Sequence, residues 1–214
     1  MAKFGLACEG ITDQIVIENI LCGYYKDYDD LDEEIQPLQP PRDETDTKQA
    51  DFSNWELLLD YLSQKRFRDD VLNSEYVIIQ IDTDDSGHTN FGVSHYDENN
   101  IELSISTLVD NVQDKLIEQI DKNEKFYQSN HTKIIFAISV HSLECWILPL
   151  YKDKNNKTKN CHKELQRHVD ASKNYQNYDK LTRDFTKYKK LMKIVPKSES
   201  FQIFVNKLPD IEEE

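Results

Sequence analysis

The acidic residues that follow apolar runs are the side chains of this sequence best suited to chemistry. Asp82 and Asp84 come directly after the run Val77–Ile81. Because they are two residues apart, their side chains point the same way in an extended segment. Adjacent carboxylates repel each other, and a hard cation such as Mg²⁺ removes that repulsion. A solvated acidic turn is the alternative, since Asp-Ser-Gly is ordinary turn chemistry.

Further carboxylates stand near the ends of two other apolar runs. Glu9 and Asp13 follow Phe4–Cys8, and Glu144 follows Ile134–Val140. Asp13 and Glu144 also suit the first turn of a helix, where acidic side chains are favoured, whereas Glu9 lies at the tip of a strand. Parallel strands end at one edge of a sheet, so these groups and the Asp82–Asp84 pair would converge there. The sequence therefore predicts a site for a hard cation such as Mg²⁺.

Strands and helices alternate along the chain, which predicts an α/β fold with a Rossmann-like parallel sheet of about four strands flanked by helices. Besides the three apolar runs, a short strand is predicted around Glu34–Leu38. Amphipathic spacing predicts helices over Asn54–Lys65 and Leu103–Phe126 and from Thr12, as N-cap, to Gly23. Residues 1–150 form the predicted catalytic domain, and residues 151–214 a basic, mostly helical C-terminal extension packed on it.

Composition excludes several classes of protein. The 214 residues carry 40 acidic and 26 basic side chains, a net charge of −14, which argues against nucleic-acid binding over the whole surface. The four cysteines have no CxxC spacing, so a zinc site is not indicated, and Cys8 and Cys145 are predicted to be core thiols. No apolar run approaches the ~20 residues of a membrane span. The default prediction is a reduced cytoplasmic protein without membrane partners.

The C-terminal part of the chain is basic. Tyr151–Lys197 contains 12 lysines and two arginines against five acidic residues, with tyrosines interleaved. Such a stretch can follow a phosphate backbone, and Lys187, Lys189, Lys190 and Lys197 are its candidate nucleic-acid ligands. A solvated, lysine-rich helical surface explains the same composition equally well.

Two histidines, His88 and His95, lie in the polar segment 87–100. A histidine near a carboxylate cluster could assist catalysis. A solvated loop histidine is the interpretation that the sequence favours.

At these residues the chain resembles the Toprim domain, the catalytic fold shared by topoisomerases, primases and OLD-family nucleases. The matching pieces are Glu9-Gly10-Ile11-Thr12-Asp13 and Asp82-Thr83-Asp84. Around Glu144 the chain is similar to small stand-alone Toprim-like proteins of bacterial defence and mobile-element loci, of the RloB-like and OLD-like groups. The resemblance implies that Glu9 is a metal ligand or general acid–base and that the paired aspartates hold Mg²⁺ or Mn²⁺. It also implies a metal-binding role for Asp13 and, less closely matched, for Glu144.

The function predicted from this resemblance is a metal-dependent nuclease of DNA or RNA, an effector in a phage-defence or mobile-element system. A non-catalytic Toprim-fold subunit that assembles with an ATPase is the alternative, and a nucleotidyl-transfer enzyme with the same carboxylates is a third. A topoisomerase or a primase is disfavoured, because no topoisomerase-type tyrosine context and no primase zinc-binding region is recognisable. The sequence leaves open whether the chain forms a homo-oligomer.

Overall fold

The computed structural model describes residues 2–41, 54–152 and 159–211. The strands are β1 (Ala2–Ala7), β2 (Ile35–Gln39), β3 (Ser74–Asp82) and β4 (Ile134–Ser139). Within the described residues they form one all-parallel sheet in the order β2-β1-β3-β4. The predicted α/β architecture, with about four parallel strands flanked by helices, is confirmed.

Helices connect the strands and make up the C-terminal extension. They are α1 (Ile11–Tyr24), α2 (Asn54–Ser63), α3 (Lys65–Leu72), α4 (Ile105–Ile120), α5 (Tyr127–Asn130), α6 (Glu144–Ile147), α7 (Cys161–Leu165), α8 (Tyr175–Thr182), α9 (Tyr188–Ile194) and α10 (Glu199–Val205). Short 3₁₀ helices cover Leu31–Glu34, His131–Lys133, Leu148–Leu150, Arg183–Thr186 and Val195–Lys197. The extension is mostly helical, as predicted.

Several predicted helix boundaries are wrong. Gly10, and not Thr12, is the N-cap of α1. The helix predicted over Asn54–Lys65 stops at Ser63, because Gln64 is extended (ψ 156°) and caps the separate helix α3. α4 begins after Ser104, whose side chain accepts a hydrogen bond from the Thr107 N–H, and it is shorter than the predicted Leu103–Phe126.

The centres of β1, β3 and β4 are mainly apolar because both faces of the sheet are covered there. In β3, Ile78 packs into one hydrophobic cluster with α1 and the extension, whereas Val77, Ile79 and Ile81 pack into a second cluster with α2, α3 and α4. Successive residues of a strand point to opposite faces, so each strand supplies both clusters.

The strand order reverses next to β1. The chain passes from β1 through α1 to β2 on one side, and it returns with β3 to the other side of β1. Open α/β sheets bind ligands at such a switch point, beyond the carboxyl ends of the strands. The ends of β1 and β3 lie at this switch point.

The C-terminal extension shares a hydrophobic cluster with the sheet. Helix α8, the turn Arg183–Thr186 and α9 pack on α1. The approach is so close at Gly23 that a Cβ there would lie 1.8 Å from the Phe185 carbonyl oxygen. Helix α10 packs instead on β4 and α4, and the Ser200 hydroxyl accepts hydrogen bonds from the Val140 N–H and the Trp146 Nε1–H.

Cys145 and Cys161 form a disulfide between α6 and α7, with their Cα atoms 5.0 Å apart. The prediction that Cys145 is a core thiol is therefore wrong, because the two cysteines are 16 residues apart and only the packing of α7 on α6 brings them together. Cys8 is buried, as predicted.

No helix in the described ranges is long and apolar enough to cross a membrane.

Candidate metal centre at the carboxyl edge of the sheet

Glu9 and Asp82 meet at the switch point between β1 and β3. Glu9 lies two residues beyond the end of β1, and Asp82 is the last residue of β3. Glu9 Oε1 accepts a hydrogen bond of 2.6 Å from the Asp82 backbone N–H. The structure thus brings together Glu9 and Asp82, two of the acidic residues that the sequence predicts to converge at this edge.

One oxygen of the Asp82 carboxylate is fixed by two donors. Asp82 Oδ1 accepts hydrogen bonds of 3.0 Å from the Leu143 N–H and of 3.0 Å from Gln80 Nε2, and Gln80 is fully buried. Among the described residues, no hydrogen bond reaches the second oxygen of Asp82 or of Glu9. Each carboxylate is therefore oriented by one oxygen and keeps the other available to a cation.

Asp84 is positioned by the backbone of the neighbouring strand. The N–H groups of Thr83 and Asp84 both donate to the His141 carbonyl oxygen, at 2.8 and 3.0 Å. This pairing continues the contact between β3 and β4 beyond the sheet and holds the turn after Asp82 next to the segment that follows β4. The Asp84 side chain is exposed and stands at the solvent side of the cluster.

Burial and like charge raise the pKa of Glu9, Asp13, Asp82 and Asp84. For Glu9 and Asp82, burial is the larger cause, followed by the charge of Asp13 on Glu9 and of Glu9 on Asp82, and both pKa values lie well above the ordinary range. Burial, followed by the charge of Glu144, raises the pKa of Asp13 to about 7. A charge cluster of this kind favours a proton or a bound cation.

Glu144 is in a different electrostatic position, although it lies in the same cluster. Its Oε1 accepts a 2.6 Å hydrogen bond from the Tyr178 hydroxyl and lies 3.2 Å from His162 Nδ1. Burial alone would raise the pKa of Glu144, but the charge of Lys173 and the Tyr178 hydrogen bond outweigh it and hold the pKa below its usual value. Glu144 is therefore an ionised group that ties the cluster to the C-terminal extension.

Lys173 is the functional candidate that the sequence analysis missed. Its Nζ lies 3.6 Å from Glu144 Oε1. Burial alone would lower the pKa of Lys173, but the carboxylates of Glu144, Asp13, Asp82 and Asp84 raise it overall. Nothing in the sequence separates this lysine from its many basic neighbours, since only the packing of the segment before α8 brings it to the cluster.

The donor set suits Mg²⁺ or Mn²⁺, although the side chains do not form a ready-made site. In residues 2–41, 54–152 and 159–211, no group of three His, Cys, Asp or Glu side chains is arranged to hold a metal ion. The available oxygens of Glu9 and Asp82 are nevertheless hard ligands at a point where Lys173 only partly offsets the negative charge, which is what these cations prefer. Asp13, Asp82 and Asp84 are the residues that would hold the ion, and Glu9 would be a further ligand or an acid–base group.

A stacked pair of histidines borders the cluster. The ring centroids of His95 and His141 are 4.8 Å apart and the rings are nearly parallel, with an interplanar angle of 5°. His95 Nε2 lies 2.6 Å from the Thr83 carbonyl oxygen, so this nitrogen carries the proton and donates it. Burial lowers the pKa of His141 to about 4, followed in effect by the charge of His95. His95 is therefore not the solvated loop histidine that the sequence favours.

Three of the predicted nucleic-acid ligands lie away from the carboxylates. Lys187 and Lys190 both pair with Asp184, and Lys189 is exposed beside them. They flank Tyr188, which lines a cavity with Tyr24, at the end of α1. Because α1 starts next to the acidic cluster and crosses to the opposite edge of the sheet, these lysines lie by its far end.

Lys197 has a different location from the other three lysines. It immediately precedes α10, whose Ser200 contacts Val140 at the carboxyl end of β4. Lys197 is thus the predicted ligand on the side of the sheet that carries the acidic cluster.

Comparisons of the chain with protein-family models, with curated proteins and with solved structures give no match.

Proposed function

We propose that this chain is a metal-dependent nuclease of the Toprim type, which hydrolyses phosphodiester bonds of DNA or RNA. The observation that carries the proposal is the convergence of Glu9, Asp13, Asp82 and Asp84 at the switch point of a parallel sheet. Two of these carboxylates are oriented by N–H donors, and their mutual repulsion would be relieved by a divalent cation.

Phosphodiester hydrolysis needs an activated water and neutralisation of charge at the phosphate. One or two Mg²⁺ or Mn²⁺ ions, when bound, supply both. Asp82 and Asp84 hold the ion, with Asp13 as a further ligand. Glu9 accepts or returns the proton, since a carboxyl group with a raised pKa is suited to acid–base work near neutral pH.

Glu144 and Lys173 act at the margin of this centre. Glu144 is held by Tyr178 and His162, so its first role is to fix the extension against the metal ligands. Lys173 contributes a positive charge that partly offsets the negative charge of the carboxylates, and it can also bind a phosphate of the substrate.

The biological setting of the proposal rests on the Toprim resemblance alone. It is a cytoplasmic effector of a phage-defence or mobile-element system, with nucleic acid as its substrate and an ATPase as a partner protein. The rival function, a non-catalytic assembly subunit, differs from it in requiring no chemistry from the carboxylates.

Cleavage assays separate these functions. The purified chain is incubated with single- and double-stranded DNA and RNA in Mn²⁺, Mg²⁺ or EDTA, beside Asp82→Asn and the control Asp85→Asn, which removes an exposed neighbouring charge. We expect cleavage that needs the metal, is lost in Asp82→Asn and survives in Asp85→Asn. Cleavage in EDTA or undiminished cleavage by Asp82→Asn would contradict the proposal. A folded but inert wild type would favour the assembly subunit, and incorporation of labelled nucleotide would favour the transferase.

A further inference from the structure

A cleft of about 500 Å³ opens directly beside the candidate metal centre. Its walls include Asp84, Gly87, His95, Tyr96, His141 and Lys159; we call it the histidine cleft. Its volume lies in the range of small-molecule sites. Because Asp84 forms part of its wall, a group bound in the cleft would be a neighbour of any phosphate held at the carboxylates.

The stacked histidines present unused polar atoms at this cleft. The Nε2–H of His95 already donates a hydrogen bond to the Thr83 carbonyl oxygen. His95 Nδ1 and both ring nitrogens of His141 have no hydrogen-bond partner in the part of the chain that the structure describes. A second cavity, of about 410 Å³, lies against the same two rings, so the pair is accessible along more than one side.

Lys159 supplies the positive charge of the histidine cleft. Its Nζ lies 2.7 Å from Glu102 Oε1 and 5.7 Å from the centre of the Tyr96 ring. Both members of the ion pair are about half exposed, with relative exposures of 47% and 53%. An exposed pair of this kind contributes little to stability, so a phosphate can take the place of Glu102 at small cost.

We propose that the histidine cleft binds the nucleotide next to the scissile phosphodiester bond, with its phosphate at Lys159 and its base against Tyr96, His95 and His141. The inference rests on the nuclease function proposed above and adds a substrate subsite to it. An ammonium group combined with aromatic rings is the combination by which proteins hold single-stranded nucleic acid. The imidazole nitrogens add hydrogen bonds to a base edge.

Gly87 allows the cleft to be filled without disturbing the fold. A Cβ built at Gly87 meets no atom within 4 Å, so the side chain of Gly87→Val would occupy open space. His131→Ala is the matched control for the histidines, because His131 is exposed and precedes β4 at the opposite edge of the sheet.

The test is a titration of the metal-free protein with adenosine 5′-monophosphate, followed by the histidine ring signals in ¹H–¹³C NMR. The signals of His95 and His141 are assigned with His95→Gln and His141→Gln. We expect both to shift while the His131 signal stays in place. Lys159→Gln should weaken binding by about tenfold, the loss typical of one charged contact. Gly87→Val should also weaken binding, because its side chain takes up space in the wall of the cleft. Glu102→Gln removes the ion-pair partner of Lys159 and should therefore strengthen the binding of adenosine 5′-monophosphate. Inorganic phosphate alone and adenosine alone should bind more weakly than the nucleotide.

Cleavage kinetics then distinguish failure of the subsite from failure of the nuclease. If the subsite exists, Gly87→Val and Lys159→Gln raise KM more than they lower kcat, whereas His131→Ala matches the wild type. Unshifted His95 and His141 signals, or wild-type binding by Gly87→Val, would overturn the subsite even in an active nuclease. Nucleotide binding at the histidines by a protein that cleaves nothing would keep the cleft as a nucleotide site and overturn the nuclease instead.

Discussion

Two charged regions of this molecule differ in how their charges are compensated. At the carboxyl edge, Glu9, Asp13 and Asp82 face one another in partly buried positions, and burial and like charge raise their pKa values. In the basic patch of the extension, formed by Lys187, Lys189 and Lys190, two lysines pair with the exposed partner Asp184. The acidic region retains a repulsion that a ligand could relieve, whereas the basic patch is partly neutralised by its own neighbour.

For locating a functional site, this difference in charge compensation is more informative than the amount of charge that each stretch of sequence carries. Exposed ion pairs contribute about 0–1 kcal/mol and are common on any surface. Carboxyl groups with strongly raised pKa values reduce the stability of the metal-free protein, and such arrangements concentrate at functional sites. The acidic cluster is therefore the region at which we expect the proposed chemistry.

The largest expected effect is the loss of turnover when a cluster charge is removed. Glu9→Gln keeps the size and the hydrogen-bonding shape of the side chain but removes its basicity, so turnover should fall by at least about 10²-fold. Asp82→Asn should abolish cleavage, and nucleic-acid binding should survive in both. Single-turnover cleavage with Mn²⁺ and anisotropy with Ca²⁺ measure the two properties. Reduced binding with unchanged turnover of bound substrate would contradict the role of Glu9.

The next effect is a change of stability whose sign depends on which charge is removed. In the metal-free protein, Asp82→Asn should raise the free energy of unfolding, because it removes like-charge repulsion. The amide oxygen of the new side chain can still accept the hydrogen bonds from Leu143 and Gln80. Lys173→Gln should destabilise, because it removes a counter-charge. We expect shifts on the order of 1 kcal/mol, about 2–4 °C in Tm for a chain of this size. Thermal unfolding in EDTA measures both, and shifts of the same sign would contradict the cluster account.

The strands and most of the clustered carboxylates could be predicted from the sequence, because the signals are local. β1, β3 and β4 are covered on both faces and must be apolar along their length. Parallel strands all end at one edge, so residues after those runs must meet there. Glu9 and Asp82 follow from this rule, and their contact confirms it.

The parts that could not be predicted depend on contacts between distant segments. Lys173 reaches the carboxylates, and Cys161 reaches Cys145, only through the packing of the extension. His141 meets His95 because the loop after β3 folds over the end of β4. No spacing within the chain encodes these pairs.

A smaller effect concerns the pH dependence of stability in EDTA. The pKa of Asp13 is about 7 in the folded protein and 3.8 ordinarily, so the folded state binds this proton more tightly than the unfolded state does. Stability should therefore rise as the pH falls from 8 to 6, by an amount on the order of 1 kcal/mol. Urea unfolding at both pH values measures the change. Asp13→Asn should reduce this change in the free energy of unfolding between the two pH values. An equal change in that variant would contradict the raised pKa of Asp13.

The smallest effect is in the salt dependence of nucleic-acid binding and tests the basic patch. Each lost phosphate contact lowers the slope of log affinity against log salt by about 0.7–0.9. Lys197→Gln should remove about one such contact. We expect a smaller decrease in slope than the loss of three phosphate contacts would give when Lys187, Lys189 and Lys190 are all replaced with Gln. The reason is that Asp184 already pairs with two of these lysines. A loss corresponding to three full contacts would show that the basic patch follows the phosphate backbone.

Calorimetry of Mn²⁺ binding at pH 7 tests the central claim most directly. The experiment compares wild type, Asp82→Asn and the control Asp85→Asn in two buffers of different ionisation enthalpy. If the cluster is a metal centre, the wild type binds Mn²⁺ and releases protons, because groups with raised pKa values must lose them to the ion. Asp82→Asn should then bind at least about tenfold more weakly, and Asp85→Asn should match the wild type. Wild-type affinity in Asp82→Asn, or binding without proton release, would contradict the account.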